Sequence, residues 1–322
     1  MKSFAFCFPA LLILACKPTE QAPAPPPAAP GLPADPPAAT AALVGDYAAD
    51  GDSLSLREVS GRLEAVAWKD TARKATVDPG MVAGDSLTFE SRVYRRLALG
   101  PASGTVFRIT PRAPYDQLMK TALAASPPKE EGDFLPSDLV ELVTLDSTIK
   151  LDIRYAGTDN FMSAKFYSSP RAFLQRPAAE AAVRAHRALK AEGYGLLIHD
   201  GYRPWYVTKM FWDATPDPLR IVVADPSQGS RHNRGCAVNI TLYDLKTKKP
   251  VEMVSTYDET TDRAYPNYPG GTSLQRWHRD LLRATMEAEG FTVYEAEWWH
   301  FDYKDWQKYP IGNVRFDLLS GK

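Results

Sequence analysis

The chain has 322 residues, 44% hydrophobic and 24% charged, with a formal net charge of −1. That composition belongs to a globular protein long enough for one large domain or two smaller ones. The near-zero balance excludes a nucleic-acid binder, because no basic excess exists to neutralise phosphates.

At the N-terminus Lys2 supplies a positive charge, and an apolar run from Phe4 to Ala15 is too short to span a bilayer comfortably. It ends Ile13-Leu14-Ala15-Cys16, which resembles the lipobox of bacterial lipoproteins. The resemblance implies cleavage before Cys16, lipidation of its thiol, and attachment to a bacterial membrane in the cell envelope, facing the periplasm or the exterior. An ordinary secretory signal peptide is the alternative, and either reading takes the protein out of the cytoplasm. Residues 1–15 are therefore read as signal peptide. Residues 16–42, rich in Pro and Ala and poor in large apolar side chains, are read as a semi-extended tether.

Residues 43–111 change to short segments of period two: Ser53–Leu56, Leu63–Trp68, Ser86–Phe89 and Thr105–Ile109, with Gly and Asp between them. This pattern predicts a small antiparallel accessory module. It contains no cluster of His, Cys or carboxylates. Residues 112–135 form a linker, with a short helix over about Tyr115–Ala125.

In residues 136–322, Leu139–Val143 and Ile149–Tyr155 read as strands, and a helix follows from Pro177 to Lys190, ended by Gly193. Leu196–Ile198 reads as a buried strand delivering His199 and Asp200, and Pro204 opens a helix running through Trp212. A strand is expected over Ala237–Leu242, and a helix over Ser273–Glu289 with Ser273 as its N-cap and Gly290 ending it. An aromatic strand around Trp298 closes the chain. Interleaved helices and strands with antiparallel-looking returns give an α+β class.

Two stretches of this region carry chemistry: Ser230-Arg231-His232-Asn233-Arg234-Gly235-Cys236-Ala237-Val238-Asn239 and Glu297-Trp298-Trp299-His300-Phe301. A hydrolytic zinc site needs three protein ligands, an open position for water, and a carboxylate outside the ligand set to accept a proton. Two histidines and a glutamate of the right kind are present. On a regular strand Glu297 and His300, three apart, point to opposite faces, so a turn or bulge is required to bring them together. His186, His199 and His278 lack a partner pattern and read as structural. Cys236, the one cysteine outside the N-terminal segment, cannot form a disulfide within the body. It reads as a small buried residue, with a thiolate ligand as the alternative.

These residues resemble the D-alanyl-D-alanine dipeptidases of the vancomycin-resistance type, within the zinc D,D-peptidases. The family pattern Ser-x-His-x-x-Gly-x-Ala-x-Asp is met by Ser230, His232, Gly235 and Ala237. Glu-x-x-His is met by Glu297 and His300, and Tyr-Arg-Pro by Tyr202, Arg203 and Pro204. The run from Ile153 to Phe161 is similar to the family's N-terminal signature, and Met253–Asp258 is a weaker match. The resemblance covers about residues 136–319. It implies an α+β zinc D,D-peptidase fold and one zinc ion held by His232, His300 and the residue at 239. It implies Glu297 as general base and Arg203 as oxyanion stabiliser. Beyond the resemblance, Ser230, Asp258 and Tyr155 are placed on the substrate side, with Asp258 meeting the substrate's ammonium group as our own extension.

The departure is Asn239, where the family places an aspartate ligand. An amide oxygen brings no negative charge and suits harder metals better than zinc. The implied activity is hydrolysis of D-Ala-D-Ala or a related wall dipeptide. The alternatives are a D,D-carboxypeptidase on longer wall peptides, or a weakened, wall-peptide-binding relative.

Overall fold

The computed structural model describes residues 31–68, 70–97 and 108–319. The signal segment and Cys16 lie outside the described residues. No helix among the described residues is long and apolar enough to cross a membrane. The end of the expected tether is not extended throughout: Ala38–Ala41, an alanine-rich stretch, forms a helical turn (α1).

The alternating segments build one antiparallel sheet from β1 (Gly45–Ala49), β2 (Asp52–Val59), β3 (Arg62–Ala67), β4 (Lys74–Val77), β5 (Val82–Ala83), β6 (Ser86–Phe89) and β7 (Arg92–Arg96), in the order β4-β3-β2-β1-β7-β6-β5. Tyr47, Leu54, Leu56, Leu63, Leu87 and Tyr94 fill a core of its own. Of the expected strand at 105–109, residues 105–107 lie outside the described residues, and Arg108 and Ile109 are not in a strand. They turn to the larger body instead. Ile109 N–H donates to the Phe161 carbonyl (2.9 Å), and the Arg108 guanidinium to the Asn160 carbonyl (3.0 Å).

The second body opens with α2 (Tyr115–Ala124), β8 (Leu139–Glu141), α3 (Leu142–Leu145), β9 (Lys150–Leu151), β10 (Phe173–Gln175) and α4 (Arg176–Ala191). It continues with β11 (Tyr194–Asp200), α5 (Trp205–Ala214), β12 (Ala237–Asp244), α6 (Ser273–Ala288), β13 (Phe291–Tyr294) and β14 (Glu297–Tyr303). Its main sheet runs β13-β14-β12-β11-β9, antiparallel except for the β9/β11 pair. Along α4, Ala178, Ala181, Ala182, Ala185 and Leu189 are buried at helical spacing, and small side chains let the helix lie close to the sheet. Mixed helix and antiparallel sheet is the α+β class expected.

Three elements differ from the pattern reading. The strand at 139–143 stops at Glu141, whose carbonyl accepts from Thr144 Oγ1 (2.7 Å) as the chain turns into α3. The strand at 149–155 keeps only Lys150–Leu151. Arg154–Ala156 is a 3-10 turn whose Tyr155 carbonyl accepts from the N–H groups of Phe166 and Tyr167 (2.8 and 3.0 Å). The N-cap of α6 is Thr272 rather than Ser273: Thr272 Oγ1 accepts from Gln275 N–H (3.1 Å), while Gln275 Oε1 accepts from Thr272 N–H (2.9 Å).

The accessory sheet sits on the start of α6. Ser273 N–H donates to Glu58 Oε2 (2.8 Å), Arg276 Nη2 donates to the Glu58 carbonyl (2.7 Å), and Tyr268 Oη donates to Asp46 Oδ1 (2.7 Å). Trp68 packs against the rings of Tyr265 and Tyr268.

Candidate active site

The site lies where β11, β12 and β14 run side by side. Cross-strand register places Asp200 opposite Asn239, and Asn239 opposite His300. Val238, Ile240 and Leu242 face the core as alternation expects, yet Asn239 and Thr241 are also buried, because the site side of the sheet is covered as well. Part of that cover is Tyr257, whose hydroxyl accepts from Asn239 Nδ2 (3.1 Å) and whose ring stacks on His199.

His232 arrives on the loop before β12. Its Nδ1 is 2.8 Å from the Gly201 carbonyl, which can only accept, so Nδ1 carries the proton and Nε2 the lone pair. That Nε2 is buried without a hydrogen-bond partner, and so is Asn239 Oδ1. His300 stands edge-on to His232, ring centroids 4.8 Å apart. Its Nε2 lies 2.9 Å from Asp302 Oδ1, and its Nδ1 lies 3.7 Å from Glu297 Oε2. The irregularity required to bring Glu297 and His300 together is present: β13/β14 pairing is regular to Val293↔Phe301, then jumps to Tyr294↔Glu297.

Arg203 is buried and fixed. Its Nε and Nη2 both donate to Asp200 Oδ2 (3.0 and 2.8 Å), and its guanidinium lies over the rings of Tyr155 and Phe211. Asp200 Oδ1 accepts from Tyr167 Oη (2.8 Å) and Gly201 N–H (3.0 Å). Tyr155 Oη is 3.5 Å from Asp258 Oδ2, and Asp258 holds a left-handed backbone with φ of 59°. Ser230, by contrast, is engaged in its own turn, where Oγ accepts from Asn233 N–H (3.2 Å).

Electrostatics follow from this burial. His232 is held well below the ordinary imidazole range by desolvation, then by Arg203 and His300, so its ring is neutral. Burial disfavours charge on Arg203, but Asp200 and the surrounding tyrosines keep it cationic. Burial raises Glu297, against the pull of His300 and Arg203. Burial and then Glu297 push Asp258 up to about 7, with Arg203 opposing. Cys236 is fully buried, and desolvation pushes its thiol up to about 12.

Residues 136–313 match the family model described as D-ala-D-ala dipeptidase. The chain belongs to this family. A D-alanyl-D-alanine dipeptidase of Escherichia coli is 31% identical over 175 residues, covering 54% of this chain and 89% of that one. One of Enterococcus faecium is 32% identical over 188 residues, covering 53% and 92%. A solved structure of the LdcB LD-carboxypeptidase is similar over 58% of this chain and 75% of that one, at 18% identity and a TM-score of 0.31. Membership makes this a peptidase fold, and the matched span holds every site residue named above, with the accessory sheet outside it.

The family implies a metal ion, and the donor chemistry fits one. Among the described residues no three His, Cys, Asp or Glu side chains are grouped as a metal-binding set. Here the two imidazoles are joined by an amide. Two buried acceptors without partners, His232 Nε2 and Asn239 Oδ1, sit beside a second imidazole, and such orphans are costly unless something electropositive meets them.

Pattern reading did not assign roles to Asp200, Tyr167, Tyr257 or Asp302. For Asp302 a signal existed, since a residue two beyond His300 on a strand shares its face.

Proposed function

We propose that the chain is a zinc-dependent dipeptidase that cleaves D-Ala-D-Ala or a related dipeptide derived from the cell wall. The observation that carries this reading is the pair of orphaned acceptors, His232 Nε2 and Asn239 Oδ1, beside the Glu297/His300 pair. Family membership and relatives named as D-alanyl-D-alanine dipeptidases support it.

His232, His300 and Asn239 would hold the cation, which when bound supplies Lewis acidity and acidifies a water. Glu297 is placed to accept a proton from the attacking water as the water's oxygen bonds to the scissile carbonyl carbon. It returns the proton to the amine as the C–N bond breaks, and its raised pKa suits both transfers. Arg203, kept cationic and immobile by Asp200, faces the charge that develops on the carbonyl oxygen. Asp258 and Tyr155 form the acceptor end of the pocket, suited to the free ammonium of a dipeptide. The reading includes lipid attachment at Cys16 in the cell envelope, supported by the sequence of the first sixteen residues.

The test is release of D-alanine from D-Ala-D-Ala by the zinc-loaded protein, with and without chelator. Turnover should stop with chelator, and Glu297→Gln should lower kcat by about 10²–10⁴-fold at unchanged zinc content. Undiminished turnover in Glu297→Gln removes that residue from the mechanism. A zinc-loaded protein that turns over only longer wall peptides favours a carboxypeptidase, and one that binds without turnover favours a binding role.

A further inference from the structure

The implied donor set of His232, His300 and Asn239 is electrically neutral, so a divalent cation there would keep its whole charge. One carboxylate touches this set and has no part in the mechanism above. Asp302 lies two residues beyond His300 on β14, opposite Ala237. Its side chain is 10% exposed, with Oδ1 2.9 Å from His300 Nε2 and Oδ2 2.6 Å from Arg231 Nη1.

We propose that Asp302 is a positioning residue of the metal site: it accepts the Nε2 proton of His300, turns Nδ1 toward the pocket, and supplies from behind the ring the negative charge that Asn239 lacks. The inference rests on the metallopeptidase reading above. A carboxylate behind a ligating imidazole fixes its tautomer and makes its free nitrogen a stronger donor. The two histidines are unequal in this respect: His232 Nδ1 donates to the Gly201 carbonyl, and the Asp200 carboxylate lies farther off, at 3.9 Å, and is taken up by Arg203 and Tyr167. Arg231 shares the carboxylate, but its side chain is 39% exposed, so solvent screens its charge more than that of the His300 contact, whose imidazole is 13% exposed.

The experiment is zinc affinity by competition with a chromophoric chelator, together with the visible spectrum of the cobalt-loaded protein and the metal-free melting temperature. Asp302→Asn should weaken zinc binding by about 10- to 100-fold, alter the cobalt spectrum, and leave the metal-free melting point nearly unchanged. In an Asn239→Asp background the same change should cost less, because charge has been restored at the metal itself. Arg231→Gln, which leaves the carboxylate in place, should keep or raise affinity. Equal affinity in Asp302→Asn overturns the inference, as does an equal loss in both backgrounds or a comparable loss in Arg231→Gln, which would assign the effect to the ion pair. An unchanged protein that binds neither zinc nor cobalt overturns the metallopeptidase reading itself, and this inference with it.

Discussion

Replacing Asp258 by Asn should stabilise the metal-free protein, by an amount that grows as pH rises above about 4 and is complete above about 7. The Asp258 carboxyl is pushed from an ordinary 3.8 up to about 7, first by burial and then by Glu297. Between those values the folded chain keeps a proton that the unfolded chain has lost, so stability falls as pH rises through the window. Above about pH 7 the full penalty stands, and about three pKa units correspond to roughly 4 kcal/mol at most. Asn removes the charge and is also among the residues that best tolerate the left-handed backbone at this position, where φ is 59°. The expected gain at about pH 8 is roughly 2–4 kcal/mol, or about 5–10 °C in melting temperature for a domain of this size. At about pH 4 it should vanish. The assay is thermal melting followed by circular dichroism in chelator, comparing both proteins at the two pH values. A gain of the same size at both, or a loss at the higher pH, would refute the reasoning. The same variant should lose dipeptide turnover, since an amide cannot neutralise an ammonium group. A substitution that strengthens the fold while disabling the pocket is the mark of a residue kept for chemistry.

Asp200→Asn should cost about 3–5 kcal/mol in urea denaturation, because the buried Arg203 charge loses its counter-ion; a cost well under about 1 kcal/mol would show the pair to be dispensable. Gly201→Ala places a Cβ 2.8 Å from the Phe173 carbonyl oxygen, and the shift this forces moves the carbonyl that holds His232. It should destabilise by about 1–3 kcal/mol and weaken zinc binding, and a variant with unchanged zinc affinity would argue against that carbonyl orienting the ring. Thr272→Ala should cost about 1 kcal/mol by removing the capping hydroxyl of α6, measured by chemical denaturation.

Much of the site was legible because it sits on regular structure. Motif order singled out His232, Glu297 and His300, which the fold brings side by side, and alternation put Asn239 on the face of β12 opposite Val238, Ile240 and Leu242. The strand rule also stated what the structure had to do: Glu297 could meet His300 only through an irregularity, and β14 has one. What pattern could not give were partners made by tertiary packing. Asp200 was visible at the end of β11, but its grip on Arg203 and Tyr167 depends on how the 201–204 turn folds back. The 3-10 turn at Tyr155 replaced an apparent strand because its carbonyl is claimed by residues 166 and 167, well downstream. Helix α6 was placed within one residue. Its true cap needed the side-chain geometry of Thr272 and Gln275, not the identity of a serine.

The seat of the accessory sheet bears on how the molecule comes apart. Helix α6 lends Trp277, Leu281, Leu282 and Met286 to the larger core, while the N–H of Ser273 in its first turn donates to the side-chain carboxylate of Glu58 of β2. Each body thus completes a requirement of the other: the sheet terminates the helix, and the helix satisfies a buried glutamate. Two cores joined in this way should melt in a single calorimetric transition, and two separate transitions would show the sheet to be an independent module.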